Sequence, residues 1–265
     1  MIDLTENPVD YLALPKAIGE VNPEDLLNIA EYYQSLGYES LSHFMRAKYK
    51  MIAASALIEA MLLYPDSGHE DDDYRLTNID LAEEMLKSAA GDQLEILEQG
   101  FTDPNDKIAW LRTTIATDFM DVYRDMICGE MSDLTIKTLR ETLHNRLHEL
   151  TKLGSVRGVK NSFKADLHGL QSELTVIADV WHKYTEPDDP IVIPSTYRGG
   201  NGEQREEETH DLVFLMQNED TTFGVIKTGE VKSEGAPIER HLRHLGRYAC
   251  SLIMVSRDGR IRTIE

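Results

Sequence analysis

Apolar residues at helical spacing dominate the first 150 positions, and short β-branched runs enter only after residue 190, so helices are expected first and strands last. Asn22 is placed to cap a helix whose first position is Pro23, with Leu26, Leu27, Ala30 and Tyr33 following at steps of one, three and three. Gly37 is expected to end it. A second helix is expected from near Tyr38, with Leu41, Phe44, Met45 and Tyr49 as its apolar face, and a third from Ile52 to Leu63, stopped by Pro65. Further helices are expected over 79–90 and 107–127, and another from the N-cap Ser132 past Leu150.

Two glycines, a serine and three bases without apolar periodicity make 151–160 the expected linker. Beyond it, Leu167, Leu170, Leu174, Ile177, Trp181 and Tyr184 form a regular stripe, which predicts one helix over 163–184. Ile191-Val192-Ile193 reads as a short strand, 199–208 as a glycine-rich acidic loop, and 211–216 as a second strand. A third runs from Phe223 through Lys232; Pro237 opens a helix to about Cys250, and Leu252 to Val255 is a last strand that 260–264 can pair beside. The order is helix, three strands, helix, strand, preceded by an all-α region.

Composition leaves this picture in place. With 41% hydrophobic and 28% charged residues among 265, the chain is an ordinary globular one, long enough for two domains. No apolar run approaches the ~20 residues of a membrane span, and the first residues lack the basic and apolar regions of a signal peptide. A cytoplasmic location without membrane partners is therefore expected. Cys128 and Cys250 lack zinc-site spacing and are expected as buried thiols rather than a disulfide. Net charge is −20, concentrated at one end: residues 1–150 carry 12 Lys/Arg against 29 Asp/Glu, and residues 151–265 carry 15 against 18. The acidic half does not attract phosphates; the near-neutral half permits them.

The candidate chemistry lies in that second half. Glu230 and Lys232 are two apart in an expected strand and so share a face, with Val231 turned to the core. Asp211 opens the preceding strand and can complete a carboxylate pair across the hairpin. Hard oxygen ligands beside an ammonium group suit a divalent cation, an attacking water and a phosphodiester.

These residues resemble the PD-(D/E)XK nuclease superfamily over about 160–265. Gly169-Leu170-Gln171-Ser172-Glu173 is similar to its Gly-x-x-x-Glu helix, His210-Asp211 stands at its Pro-Asp position with the proline replaced, and Glu230-Val231-Lys232 follows 19 residues later. His244-Leu245-Gly246-Arg247-Tyr248 resembles the Gln-x-x-x-Tyr element of RecB-like members, with His for Gln. The resemblance implies an α+β protein. It makes 161–265 an αβββαβ restriction-endonuclease-like core with a mixed sheet, while residues 1–150, read from their own periodicity and charge, would be an acidic all-α helical domain. It implies a Mg²⁺-dependent nuclease, with Mn²⁺ as a substitute, hydrolysing phosphodiester bonds in DNA. Asp211, Glu230 and the Val231 carbonyl would hold metal, Glu173 would act through water or a second metal, and Lys232 would complete the catalytic set. Many restriction-type relatives form dimers, so an oligomer is open.

Each residue also has a plainer reading: Glu173 as a helix-surface acid, Asp211 as a strand cap, Lys232 as a solvent-facing lysine. Arg240, Arg243, His244, Arg247 and Tyr248 are expected on one basic helix, as nucleic-acid contacts or as surface solubility. His144 and His148, four apart on a helix, lack the Glu of a His-Glu-x-x-His motif. The stretch 30–38 resembles half of a single tetratricopeptide repeat, with no second copy at that period. The acidic helical domain fits a protein partner, which gives the rival expectation: a non-catalytic protein-binding scaffold that keeps the nuclease fold.

Overall fold

A computed structural model describes residues 23–63, 72–99, 104–155, 161–194, 211–219, 222–234 and 250–264. The chain is α+β and divides into two compact units, the first ending at Met131 and the second beginning at Ser132.

The first unit is helical: α1 (Pro23–Glu39), α2 (His43–Leu63), α3 (Asp72–Glu98), α4 (Pro104–Thr117) and α5 (Met120–Ile127). Glu24 and Asp25 favour the start of α1, where backbone N–H groups point outward. Gly37 does not end that helix. A Cβ there would stand 3.1 Å from Lys50 Cγ, so the glycine serves the close approach of α2. The second and third expected helices are one: α2 runs unbroken, and every residue from Ile52 to Leu62 is buried. A helix apolar all round belongs at the centre of a bundle, and α1, α3 and α5 all pack against this one. Leu41 lies ahead of α2 and is 96% exposed, and Phe44 is 43% exposed, so neither forms the expected core face. The expected helix over 107–127 breaks between Thr117 and Met120, where Phe119 turns fully into the core. Asp72 and Asp73 form the first turn of α3, where carboxylates suit the outward-pointing N–H groups. Cys128, expected as a buried thiol, is free and exposed just past α5.

Ion pairs join α2 to α3. Asp92 receives Lys50 Nζ at 2.7 Å and Arg46 Nε at 2.9 Å, with His43 Nδ1 at 3.2 Å. Burial alone would raise the Asp92 carboxyl, but hydrogen bonds from Lys50 and Arg46 override it and hold the group below its ordinary range.

The second unit begins with α6 (Asp133–Gly154), which Ser132 caps through Thr135 N at 3.1 Å as its sequence position predicts. The expected boundary at 150 and linker over 151–160 differ from this arrangement, because Thr151 to Gly154 are the last turn of α6. That helix docks on α7 (Asn161–Lys183). Arg140 donates to the carbonyls of Trp181 at 2.7 Å and Tyr184 at 2.5 Å, covering the C-terminal end of α7, and Gln171 reaches Thr151 at 3.1 Å. The expected stripe on α7 is buried throughout, from Leu167 to Tyr184.

Five strands follow in sheet order: β1 (Ile191–Pro194), β2 (Leu212–Gln217), β3 (Phe223–Ser233), β4 (Cys250–Val255) and β5 (Ile261–Ile264). The sheet is mixed, since β3 and β4 are parallel and the other neighbouring pairs antiparallel. Helix α7 packs on β1, β3 and β4, and Trp181 Nε1 donates to the Val192 carbonyl at 2.8 Å. Among the described residues no helix is long and apolar enough to cross a membrane.

Candidate functional site

Antiparallel register places the site. Leu212 lies opposite Gly229, so continuing one residue sets Asp211 opposite Glu230. Asp211 brackets that position: its backbone N donates to Gly229 O at 3.0 Å, and its carboxylate Oδ2 accepts from Val231 N at 2.7 Å. The carboxylate is thus anchored on the backbone between Glu230 and Lys232. Those two side chains share a face of β3 and form an ion pair, Lys232 Nζ to Glu230 Oε1 at 2.8 Å.

Burial separates these residues from ordinary surface charges. Asp211 is 7% exposed and Glu173, on α7, is 6% exposed, so Glu173 is not the helix-surface acid of the plainer reading. Lys232 keeps 23% of its side chain exposed and Glu230 keeps 17%, so the lysine is not simply solvent-facing. Asp211 does serve as a backbone cap, as its plainer reading holds, through its Oδ2. Val231, between the pair, is buried in the core as its alternate direction predicts.

Two further residues shape the site and carry no signal in the motif. A Cβ on Gly229 would stand 2.9 Å from Phe214 and 3.0 Å from Ile253, so only glycine lets β3 lie this close between its neighbours. Thr228, two residues before Glu230 and on its strand face, is 1% exposed, and its hydroxyl has no hydrogen-bond partner among the described residues. Its spacing from Glu230 is the only clue the sequence holds.

Among the described residues no group of three or more His, Cys, Asp and Glu side chains is placed to hold a metal ion. Glu173, Asp211 and Glu230 are therefore not gathered into one three-carboxylate cage, and His144 and His148 on α6 belong to no such group. The donor set still suits magnesium, which keeps several waters and commonly uses only one or two carboxylates with substrate phosphate oxygens. Arg240, Arg243, His244, Arg247 and Tyr248, the helix expected from Pro237, and His210 lie outside the described residues. Comparison with protein-family models, curated proteins and solved structures finds no match.

Proposed function

We propose that the second unit is a metal-dependent nuclease of the PD-(D/E)XK type, hydrolysing phosphodiester bonds in DNA. The observation that carries this is the anchoring of the Asp211 carboxylate on Val231 N, between the paired Glu230 and Lys232. The order α7, β1, β2, β3 and then a parallel β4 supports it, as the arrangement that the αβββαβ core would require.

Asp211 and Glu230 would hold Mg²⁺ or Mn²⁺, with the Val231 carbonyl as a third oxygen and Glu173 acting through water. When bound, such an ion supplies Lewis-acid stabilisation of phosphate and makes hydroxide available near neutral pH. Asp211 orients its carboxylate through the Val231 hydrogen bond, so little ordering entropy is lost when substrate arrives. Lys232 draws negative charge toward the same strand face. It would leave Glu230 for the attacking hydroxide or the phosphate as charge develops there. A ladder hairpin holds all three in place, and the chemistry requires no covalent enzyme intermediate.

The acidic balance of residues 1–150 favours the second reading, a non-catalytic protein-binding scaffold that keeps the nuclease fold. On plasmid and linear DNA with Mg²⁺ or Mn²⁺, the wild type should cleave and Lys232→Ala should not. A wild type inert with both metals and both substrates would leave the scaffold reading standing.

A further inference from the structure

A cleft of about 580 Å³ opens between α7 and the turn joining β4 to β5. It is lined by His168, Ser172 and Thr175 from α7, by Ser233 at the end of β3, and by Ser256 and Arg257 from the turn. This is the carboxyl end of the parallel pair β3 and β4, the end at which open α/β sheets present ligand crevices. Small-molecule sites span roughly 300–1,000 Å³, so one nucleotide fits.

Part of its polar lining is satisfied internally: the Thr175 hydroxyl donates to the Gln171 carbonyl, and the Ser256 hydroxyl is held within its own turn by Asp258 and the Arg260 carbonyl. Ser172 lines the cleft from α7 and is 7% exposed. Ser233, His168 and Arg257 stand with it in the lining. The turn itself explains the available guanidinium. Asp258, its only acid, is held by Arg260 Nε at 2.6 Å and by the Ser256 hydroxyl, and Gly259 at φ +81° closes the loop. Arg257 is therefore left to face the cleft without a carboxylate of its own turn. Glu234 also lines the cleft, one carboxylate against Arg257 and His168.

We infer that this cleft is a subsite for one nucleotide, its phosphate taken by Arg257 and His168 and its sugar or phosphate oxygens by Ser172 and Ser233. Its identity as part of a nucleic-acid path rests on the proposed nuclease reading. Ser233 follows Lys232 directly, and adjacent strand residues point to opposite faces. A polynucleotide rounding the carboxyl end of β3 thus meets the catalytic face first and this cleft next. Arginine favours phosphate through paired donors, and hydroxyls add neutral hydrogen bonds without fixing a base.

Equilibrium binding by the full chain, in EDTA so that no cleavage occurs, tests this with four probes. They are deoxyadenosine monophosphate, deoxyadenosine, inorganic phosphate and a short single-stranded oligodeoxynucleotide. The mononucleotide and the oligonucleotide should bind about tenfold or more tightly than the nucleoside, as charge-assisted hydrogen bonds imply. Arg257→Gln, at an exposed turn position that leaves folding intact, should weaken both by about tenfold. Ser172→Ala should weaken them by a smaller factor, and Tyr123→Phe, which lies in the helical unit, by less than about twofold. Unchanged binding in Arg257→Gln and Ser172→Ala overturns the subsite. So does inorganic phosphate binding as tightly as the mononucleotide. Cleavage failing while Arg257-dependent binding persists would instead sink the nuclease reading and leave the cleft standing.

Discussion

Asp211 accepts a hydrogen bond from the backbone N–H of Val231 at 2.7 Å, which ties the start of β2 to the middle of the Glu-Val-Lys triplet. One carboxylate thereby has both a structural and a proposed chemical duty, and two substitutions separate them. Asp211→Asn keeps an oxygen acceptor for Val231 N and should retain stability within about 1 kcal/mol while abolishing cleavage. Asp211→Ala leaves a buried donor unsatisfied and should cost about 1–3 kcal/mol as well. Chemical denaturation alongside a cleavage assay distinguishes them; equal stability losses would show that the hydrogen bond carries no weight.

Gly229 sets the spacing that makes this contact possible. Gly229→Ala drives a methyl against Phe214 and Ile253. It should cost about 1–3 kcal/mol by overpacking and lower cleavage by displacing Glu230, which follows it. A variant as stable and active as wild type would mean the sheet yields freely there.

Much of the candidate site is legible in the sequence alone. The two-residue step from Glu230 to Lys232, and an acid opening the preceding strand, are local patterns that the hairpin register converts into proximity. The helical unit is less legible for an equally physical reason. A helix buried on every side, as α2 is from Ile52 to Leu62, has no polar face to give it a period, so its sequence reads as two segments. Gly37 reads as a helix stop until Lys50 is brought against it. The cleft of Ser172 and Arg257 has no sequence signature, since its walls come from a helix and a turn some eighty positions apart whose meeting depends on the sheet.

Glu59 is buried in the last third of α2, and desolvation raises its carboxyl well above 4.5. Below that value folded and unfolded chains are both protonated there, and no penalty arises. As pH rises above it the unfolded chain ionises while the folded one does not, so Glu59 increasingly favours unfolding. Glu59→Gln should therefore raise the melting temperature at pH 7–8 and change it little near pH 4. A difference independent of pH would contradict this.

Asp92 should act in the opposite direction. Its depressed carboxyl contributes stability that is present above its ordinary value of 3.8 and lost as pH falls through the lower folded value. Removing one partner of a buried ion pair costs about 3–5 kcal/mol, so Asp92→Asn should destabilise the helical unit by that order at pH 7 and by less in acid. Melting curves followed by circular dichroism across pH check both the size and the convergence.

Tyr123 is fully buried and its hydroxyl has no hydrogen-bond partner among the described residues. Tyr123→Phe removes that unsatisfied group at nearly constant shape and should be neutral or stabilising by up to about 1–2 kcal/mol. A clear loss of stability on urea denaturation would reveal a partner for the hydroxyl.

The most direct measurement of the proposed chemistry compares wild type with Lys232→Ala for Mg²⁺- and Mn²⁺-dependent cleavage of plasmid and linear DNA. The geometry of Asp211, Glu230 and Lys232 predicts metal-dependent cleavage by wild type. In the folded variant it should fall about 10²–10³-fold, the usual cost of removing one transition-state charge partner. Wild type that cleaves neither substrate with either metal, or a variant that cleaves equally well, would contradict it.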